Sequence, residues 1–161
     1  MPYALWTSAI SIEAIGSALD RAGREALHEI PLDEHEEEAG PGLGYVDIFN
    51  PDGSLVKRFI SRGQLNAPWG IAKAPAGFWG EGSDIQNVIL VGNFGDGHIN
   101  AFDADGSFLG QLRGHGNPIV IEGLWGIAFA PATSTVINHN RLYFAAGPDD
   151  EQHGLFGYIS R

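Results

Sequence analysis

The hydrophobic pattern along the chain divides it near residue 40. Between residues 12 and 30, apolar side chains recur at spacings of three or four, which places them on one face of a predicted amphipathic helix. Pro31 follows and ends this helix. The pattern allows a docking or oligomerisation helix, but it favours a helix that covers an exposed sheet edge or the core of the remaining chain. The apolar positions are Ile12, Ile15, Leu19, Ala22, Ala26 and Ile30.

From residue 41 onward the pattern is that of short β-strands. Val46 and Ile48 alternate with polar or half-exposed positions, as in a strand with one buried face, and Ile99 and Ala101 repeat the alternation. Gly and Asp tolerate the positive φ that tight hairpin turns require. Hairpin turns are therefore predicted at two dipeptides, Asp52–Gly53 and Asp105–Gly106.

Three segments of this β region recur in the same order, at shifts of 53, 56 and 53 residues. Such recurrence indicates an internal repeat, and a period of about 50 residues is typical of propeller blades with long loops. A Trp-Gly pair marks the same strand in each repeat, Trp69–Gly70 and Trp125–Gly126, where glycine permits close packing. The matched segments are Tyr45–Leu55 with His98–Phe108, Asn66–Ala72 with Glu122–Ala128, and Val88–Val91 with Arg141–Phe144.

The complete repeat predicts a four-stranded unit. With two strands expected before it and three after it, the chain has about nine strands, whereas closed propellers need about four to eight blades. The predicted fold class is therefore all-β, a partial β-propeller of about two to three four-stranded antiparallel blades, preceded by the N-terminal amphipathic helix. The expected strands of the complete repeat are residues 69–72, 88–91, 99–103 and 108–112, with the others between 45 and 59 and between 121 and 159.

An incomplete propeller leaves sheet edges and apolar faces without partners, and such edges pair with other chains. We therefore expect this chain to be a fragment of a larger propeller, with assembly of copies or cover by the N-terminal helix as alternatives. Self-association, or a partner that supplies the missing blades, is the corresponding expectation. The chain divides into residues 1–40, a helix plus an acidic linker, and residues 41–161, the blades.

The segment Val91–Asp103, a small-residue turn with an Asp–Gly pair before a strand, resembles the core of an NHL repeat. Pro68–Ala72 is similar to the Pro-x-Gly-Ile-Ala start of that repeat. Residues 41–159 as a whole resemble the carboxyl-terminal part of an uncharacterised bacterial family of NHL-like propellers, often found in exported proteins. The resemblance implies the propeller fold and an exported protein, although the N-terminus lacks the pattern of a signal peptide. It implies no activity.

The formal net charge is −11, of which −7 falls in residues 1–40. Asp33–Glu38 holds five acids in six residues and is predicted to be a solvated linker, since it lacks the glycine turn of a calcium loop. An acidic chain repels phosphate backbones, so a nucleic-acid partner is excluded. No apolar run approaches the roughly 20 residues of a membrane span. The absence of cysteine excludes disulfides and thiolate metal sites.

Four residues are candidates for ligand binding because they stand at the start of the innermost strand, where a propeller channel opens. They are Asn66, Trp69, Glu122 and Trp125. The two aromatic rings could stack on a carbohydrate, another small molecule or a protein ligand. The favoured alternative is that both tryptophans pack between blades, and both are then expected to be substantially buried.

Equivalent loops of the two repeats carry Asn93, Asp96 and Asp149, which could ligate Ca²⁺ or another divalent cation. Capping of local turns is the favoured role for these side chains, and no cofactor is predicted. The six histidines are expected at the surface or in turns. No catalytic residue is identified, so a non-enzymatic binding or interaction scaffold is the leading hypothesis. A metal-dependent hydrolase or lyase of the six-bladed propeller type, with Glu122 and Asn66 as ligands, is the alternative.

Overall fold

The computed structural model describes residues 39–80, 85 and 87–160. Within these residues the structure is all-β and holds eleven strands and no helix. The predicted helix at residues 12–30 and the acidic linker lie outside the described residues. The strands are β1 Tyr45–Phe49, β2 Leu55–Ser61, β3 Pro68–Lys73, β4 Ile89–Asn93, β5 Ile99–Phe102, β6 Phe108–Gln111, β7 Arg113–Gly114, β8 Asn117–Pro118, β9 Leu124–Phe129, β10 Leu142–Ala146 and β11 Leu155–Ile159.

The strands form four antiparallel sheets in chain order. The first sheet is the hairpin β1–β2, the second is β3-β4-β5-β6, and the third is β9-β10-β11. A two-stranded hairpin, β7–β8, connects the second and third sheets. The four-stranded repeat and the nine strands of the three larger sheets are confirmed. The hairpin β7–β8 was not expected, because two-residue strands are too short to show alternation.

The second and third sheets share one pairing register. Ile89 lies opposite Phe102 in the second sheet, and Leu142 lies opposite Ile159 in the third. β3, β4 and β5 therefore correspond to β9, β10 and β11. The third sheet has no counterpart of β6 among the described residues, and these residues form no closed ring of sheets.

The second sheet is packed on both faces. Successive side chains of a strand point to opposite faces, so each strand contributes to both cores. We call the face toward the first sheet the rear face and the face toward the third sheet the forward face. On the rear face, Ile89, Val91 and Phe102 pack with Val46, Ile60 and Leu65. On the forward face, Leu90, Ile99 and Ala101 pack with Leu124, Ile127 and Leu142.

The first strands of the second and third sheets, β3 and β9, approach each other closely at Gly70, and we call them the innermost strands because they lie on the side where the two sheets meet. A Cβ atom at this position would lie 2.7 Å from the backbone nitrogen of Ile127, so a larger residue requires the strands to separate. Close packing at the repeated glycine is therefore confirmed for Gly70. At Gly126, the corresponding residue of β9, a Cβ atom would meet nothing within 4 Å.

Both predicted hairpin turns are present, and the glycine of each supplies the positive φ. The angle is +85° at Gly53 and +92° at Gly106. In the first turn the Asp52 carboxylate accepts a hydrogen bond from the Ser54 backbone N–H at 2.9 Å. In the second turn the capping residue is Asp103, which aligns with Asn50. Its carboxylate accepts hydrogen bonds from the backbone N–H groups of Asp105 and Ser107, each at 2.9 Å. The first turn joins β1 to β2 and the second joins β5 to β6, and each holds its two strands in register. No helix that could cross a bilayer is found in this part of the chain.

Candidate functional site

Two kinds of loop meet at one end of the sheets. The segment that leads into each innermost strand contacts the hairpin loop between the second and third strands of the same sheet. In the second sheet, the backbone N–H of Phe94 donates to the carbonyl oxygen of Ala67 at 2.8 Å. In the third sheet, the N–H of Gly147 donates to the carbonyl of Gly123, also at 2.8 Å. We call this region the loop end, and all the predicted site residues lie on or beside it.

Asn66 is buried at the loop end, with 7% of its surface exposed. Its side-chain Oδ1 accepts a hydrogen bond from the backbone N–H of Gly40 at 2.7 Å. Its Nδ2 donates to Oδ2 of Asp96 at 3.3 Å. Both ends of the amide are thus engaged by the protein, and Asn66 ties the loop before β1 to the loop after β4.

Asp96 caps the turn between β4 and β5. Its Oδ1 accepts the backbone N–H of His98 at 3.0 Å, and its Oδ2 also faces the Nδ2 of Asn93 at 3.4 Å. Gly97, which lies between Asp96 and His98, has a φ of +68° that completes the turn. These contacts match the predicted capping role of Asp96 and place Asn93 beside it.

Two fully buried amides lie behind this turn. Asn93 on β4 and Asn100 on β5 are both 0% exposed, and each Nδ2 donates to the backbone carbonyl of Gln64 at 2.9 Å. The Oδ1 atoms of both residues have no hydrogen-bond partner in the part of the chain that the structure describes. The two amides fix the loop that leads into β3, and with it the position of the loop end.

Asn100 was not among the residues predicted from the sequence, although its position in the repeat gave a signal. Asn100 aligns with Asp47 at the 53-residue shift, so the first and second sheets each place a polar residue within an otherwise apolar strand. Asp47 is 7% exposed and accepts two hydrogen bonds from Arg58, from Nε at 2.8 Å and from Nη2 at 3.1 Å. This hydrogen bond to Asp47 raises the pKa of Arg58. The polar position is structural in both repeats.

The third sheet has a different chemistry at the same place. Glu122 corresponds to Asn66, and Asp149 corresponds to Asp96. Here the exposed carboxylate of Glu122 accepts the backbone N–H of Asp149 at 3.2 Å. The Asp149 side chain is 70% exposed, and its Oδ2 lies 3.5 Å from the equally exposed His153 Nε2. Among the described residues no backbone N–H donates to the Asp149 carboxylate, so the capping role predicted for Asp149 is wrong.

The loop around Asp149 also holds Trp125. The indole Nε1 of Trp125 donates to Oε1 of Glu151 at 3.0 Å. Asp149, Asp150 and Glu151 have φ values of +56°, +50° and +63°, which is unusual for residues with side chains. This turn places Glu151 beside the indole of Trp125, and the hydrogen bond between them fixes the orientation of the ring.

Trp69 and Trp125 occupy equivalent positions, but the expectation that both are substantially buried is wrong. Trp69 is 41% exposed and Trp125 is 37% exposed. Each lies at an irregularity in the pairing of an innermost strand with its neighbour, between Pro68 and Ile71 in β3 and after Leu124 in β9. A bulge turns the side chain away from the regular alternation of the strand. The rings thus stand at the loop end instead of between the sheets.

The predicted cation ligands are not gathered into one cluster. Asn93 and Asp96 lie in the second sheet and its loop, whereas Asp149 lies in the corresponding loop of the third sheet. Among residues 39–80, 85 and 87–160, no group of three or more His, Asp or Glu side chains is placed to hold a metal ion. Of the histidines, His98 has its Nδ1 3.3 Å from Asp96 Oδ1, and His115 stands in the β7–β8 turn with a φ of +52°. His28 and His35 lie outside the described residues.

A separate cleft lies at the opposite end of the strands. Its volume is about 490 Å³, and it lies between the ends of β3 and β9. Its lining includes Lys73, Trp79, Val88, Phe129 and His139. Val88 begins a recurrent segment and His139 is one of the six histidines, but no cleft was predicted here, because the other lining residues belong to loops and strand ends without a repeated pattern.

No family model matches the chain. Comparison with curated proteins finds similarity to three uncharacterised proteins of Acanthamoeba polyphaga mimivirus. The first is 46% identical over 120 residues, which cover 74% of this chain and 30% of the relative. The second is 44% identical over 123 residues (76% and 28%), and the third is 40% identical over 121 residues (70% and 22%). The chain therefore spans less than a third of the length of each of these relatives, and their names state no activity.

Proposed function

We propose that this chain is a non-enzymatic binding or interaction scaffold of the propeller type, forms part of a larger propeller, and binds its ligand at the loop end. One observation carries the proposal. Trp69 and Trp125 recur at equivalent positions of two repeats, and both expose more than a third of their surface. Large aromatic residues held in a partly exposed position are typical of ligand-contacting surfaces.

The surroundings of Trp125 indicate the class of ligand. Its ring is oriented by the hydrogen bond from Nε1 to Glu151, which reduces the conformational freedom lost on binding. Glu122, Asp149 and Asp150 are also exposed in the same loops. A surface that combines tryptophan rings with several carboxylates favours a neutral or basic ligand over an anionic one. A basic peptide or a neutral carbohydrate fits this description.

The packing similarly supports the propeller proposal. The second sheet is covered on one face by the first sheet and on the other by the third sheet, and the innermost strands meet at Gly70. The greater length of the viral relatives leaves room for further repeats outside the matched part. The hydrolase alternative has less support, because Asn66 is buried with both ends of its amide already hydrogen-bonded.

The experiment is a titration of the purified chain with two probes, an arginine-rich peptide library and a panel of neutral oligosaccharides, followed by tryptophan fluorescence and calorimetry. Trp69→Ala and Trp125→Ala are each expected to weaken binding about tenfold or more, as for an aromatic hot spot. Phe108→Ala is the control, since Phe108 is an aromatic residue of similar exposure, 43%, on the outermost strand β6. Binding that is equally strong in both tryptophan variants, or the absence of binding to either probe, contradicts the proposal.

A further inference from the structure

Three aromatic rings lie together on the face of the third sheet that points away from the second sheet, which we call the forward face of the third sheet. The ring of Tyr143 stacks on Phe156 with 6.1 Å between centroids and lies 6.0 Å from the ring of Tyr158. The guanidinium of Arg141 sits 4.0 Å above Tyr158. Phe156 is 74% exposed and Tyr158 is 50% exposed. We call Tyr143, Phe156 and Tyr158 the aromatic face.

The equivalent surface of the second sheet is covered by the third sheet. By strand register, Tyr143 corresponds to Leu90, and Phe156 and Tyr158 correspond to Ile99 and Ala101. Those three residues of the second sheet are all 0% exposed, because the third sheet packs on them. The aromatic face is thus the surface on which this repeat packs another sheet.

The innermost strands show the same relationship. A Cβ atom at Gly70 would meet the backbone of β9, whereas a Cβ atom at the equivalent Gly126 would meet nothing within 4 Å. Among the described residues, nothing covers the aromatic face in the way that the third sheet covers Leu90. A contiguous exposed aromatic surface of this kind is rare on soluble monomers and marks an interaction site.

A second copy of the chain carries the complementary side. Each interface within the chain joins the forward face of one sheet to the rear face of the next. The hairpin β1–β2 turns Val46 and Ile60 toward the second sheet, so its rear side carries the cross-strand partners Phe49 and Leu55. Leu55 is 59% exposed. The rear side of this hairpin therefore combines the exposed apolar side chain of Leu55 with the ion pair of Asp47 and Arg58.

We propose that the aromatic face of one copy binds the rear side of the β1–β2 hairpin of a second copy. The contact is head-to-tail, because the two surfaces differ. It joins a forward face to a rear face, as the contacts between the sheets of one chain do, but the hairpin supplies only the counterparts of β5 and β6 and so covers part of the aromatic face. The surface differs from the loop end, so this inference goes beyond the proposed function.

Sedimentation velocity and light scattering over a concentration series test the proposal. The parent chain is expected to show a mass that rises above 17.2 kDa with concentration. Salt is expected to strengthen the association, since it screens the repulsion between copies of charge −11. Phe156→Glu and Leu55→Glu, which alter the two opposite surfaces, should each reduce the association at least tenfold. Val136→Glu is the control, because Val136 is 92% exposed and belongs to neither surface.

Mixing the two variants distinguishes a head-to-tail contact from a symmetric one. A Phe156→Glu chain keeps its hairpin intact and a Leu55→Glu chain keeps its aromatic face, so the mixture should form a complex of two copies. Circular dichroism checks that each variant keeps the strand content of the parent. Hydrogen exchange of the parent alone gives a second measurement, with residues 142–159 becoming protected as concentration rises.

A parent chain that stays monomeric, association that survives both variants, or a mixture that stays monomeric would each overturn the proposal. Constant exchange of residues 142–159 across the concentration series would do the same. Because Trp69 and Trp125 remain in place in Phe156→Glu, ligand binding by this variant is expected to persist. A failure of self-association through the aromatic face can therefore be distinguished from a failure of ligand binding at the loop end.

Discussion

A Cβ atom placed on Gly70 would lie 2.8 Å from the backbone carbonyl oxygen of Trp125. The innermost strands of the second and third sheets therefore meet backbone to backbone, with no room for a side chain between them. The corresponding residue of β9, Gly126, has no such neighbour. Among the described residues, Gly70 therefore has a packing role that the equivalent Gly126 lacks.

Gly70→Ala is expected to destabilise the fold by about 1–3 kcal/mol, because the added methyl group overpacks the contact between β3 and β9. Gly126→Ala is the matched control and should change the free energy of unfolding by less than about 0.5 kcal/mol. Urea unfolding of the two variants measures the difference. Equal losses of stability would show that the two glycines share one environment and would contradict the observed packing.

The strands were predictable because their signals are local. Each strand of the second sheet combines apolar runs with flanking turn residues, and the repeat shows the same order twice. The two-residue strands of β7–β8 carry no alternation to detect. The covering of one sheet by the next depends on contacts between residues far apart in sequence, so the exposed aromatic face around Phe156 could not be read from the pattern of β11 alone.

Trp125→Ala is expected to cost less stability than Leu124→Ala, although tryptophan is the larger residue. Leu124 is 0% exposed within the forward core, so its truncation leaves a cavity and should cost about 2–5 kcal/mol. Trp125 is 37% exposed, so much of its ring already contacts water. Thermal melts of the two neighbouring variants provide the comparison. A larger loss for Trp125→Ala would indicate that the ring fills a core after all.

The loop end was predictable only in part. Its residues were found because Asn66, Trp69, Glu122 and Trp125 recur at one point of the repeat. The exposure of the two tryptophan rings was not predicted, because a bulge in each innermost strand sets the direction in which the ring points. The role of Asn100 depends on the carbonyl of Gln64, which is 36 residues away in the chain. Because every residue has a backbone carbonyl group, the sequence does not show which carbonyl accepts a side-chain hydrogen bond.

Asp96→Ala should destabilise the chain by about 1–3 kcal/mol, because it removes the turn cap on His98 and leaves the Nδ2 of buried Asn66 without its acceptor. Asp149→Ala alters the equivalent residue of the next repeat and is expected to change the stability by less than about 0.5 kcal/mol, since that carboxylate is 70% exposed. Chemical denaturation of both variants checks the asymmetry. Similar losses in the two repeats would argue that the loops are equivalent.

The stability of the chain should fall at acid pH partly through the turn between β5 and β6. Hydrogen bonds from the backbone N–H of Ser107, and then of Asp105 and Gly106, lower the pKa of Asp103 below its ordinary value. A carboxyl group with a lowered pKa in the folded state stabilises the fold above its unfolded pKa of about 3.9. This contribution is lost as the pH falls through the lower, folded pKa, because protonation removes the charged acceptor of the turn.

Asp103→Asn should therefore lower stability at neutral pH and flatten its decline below about pH 4, since the variant has no proton to bind at this position. Asp105→Asn is the control, because it removes a charge from the same turn and keeps the carboxylate of Asp103 that accepts the N–H groups of Asp105 and Ser107. Melting temperatures measured from pH 7 to pH 2 give the comparison. A profile for Asp103→Asn that runs parallel to the parent at every pH would show that this carboxylate does not couple proton binding to folding.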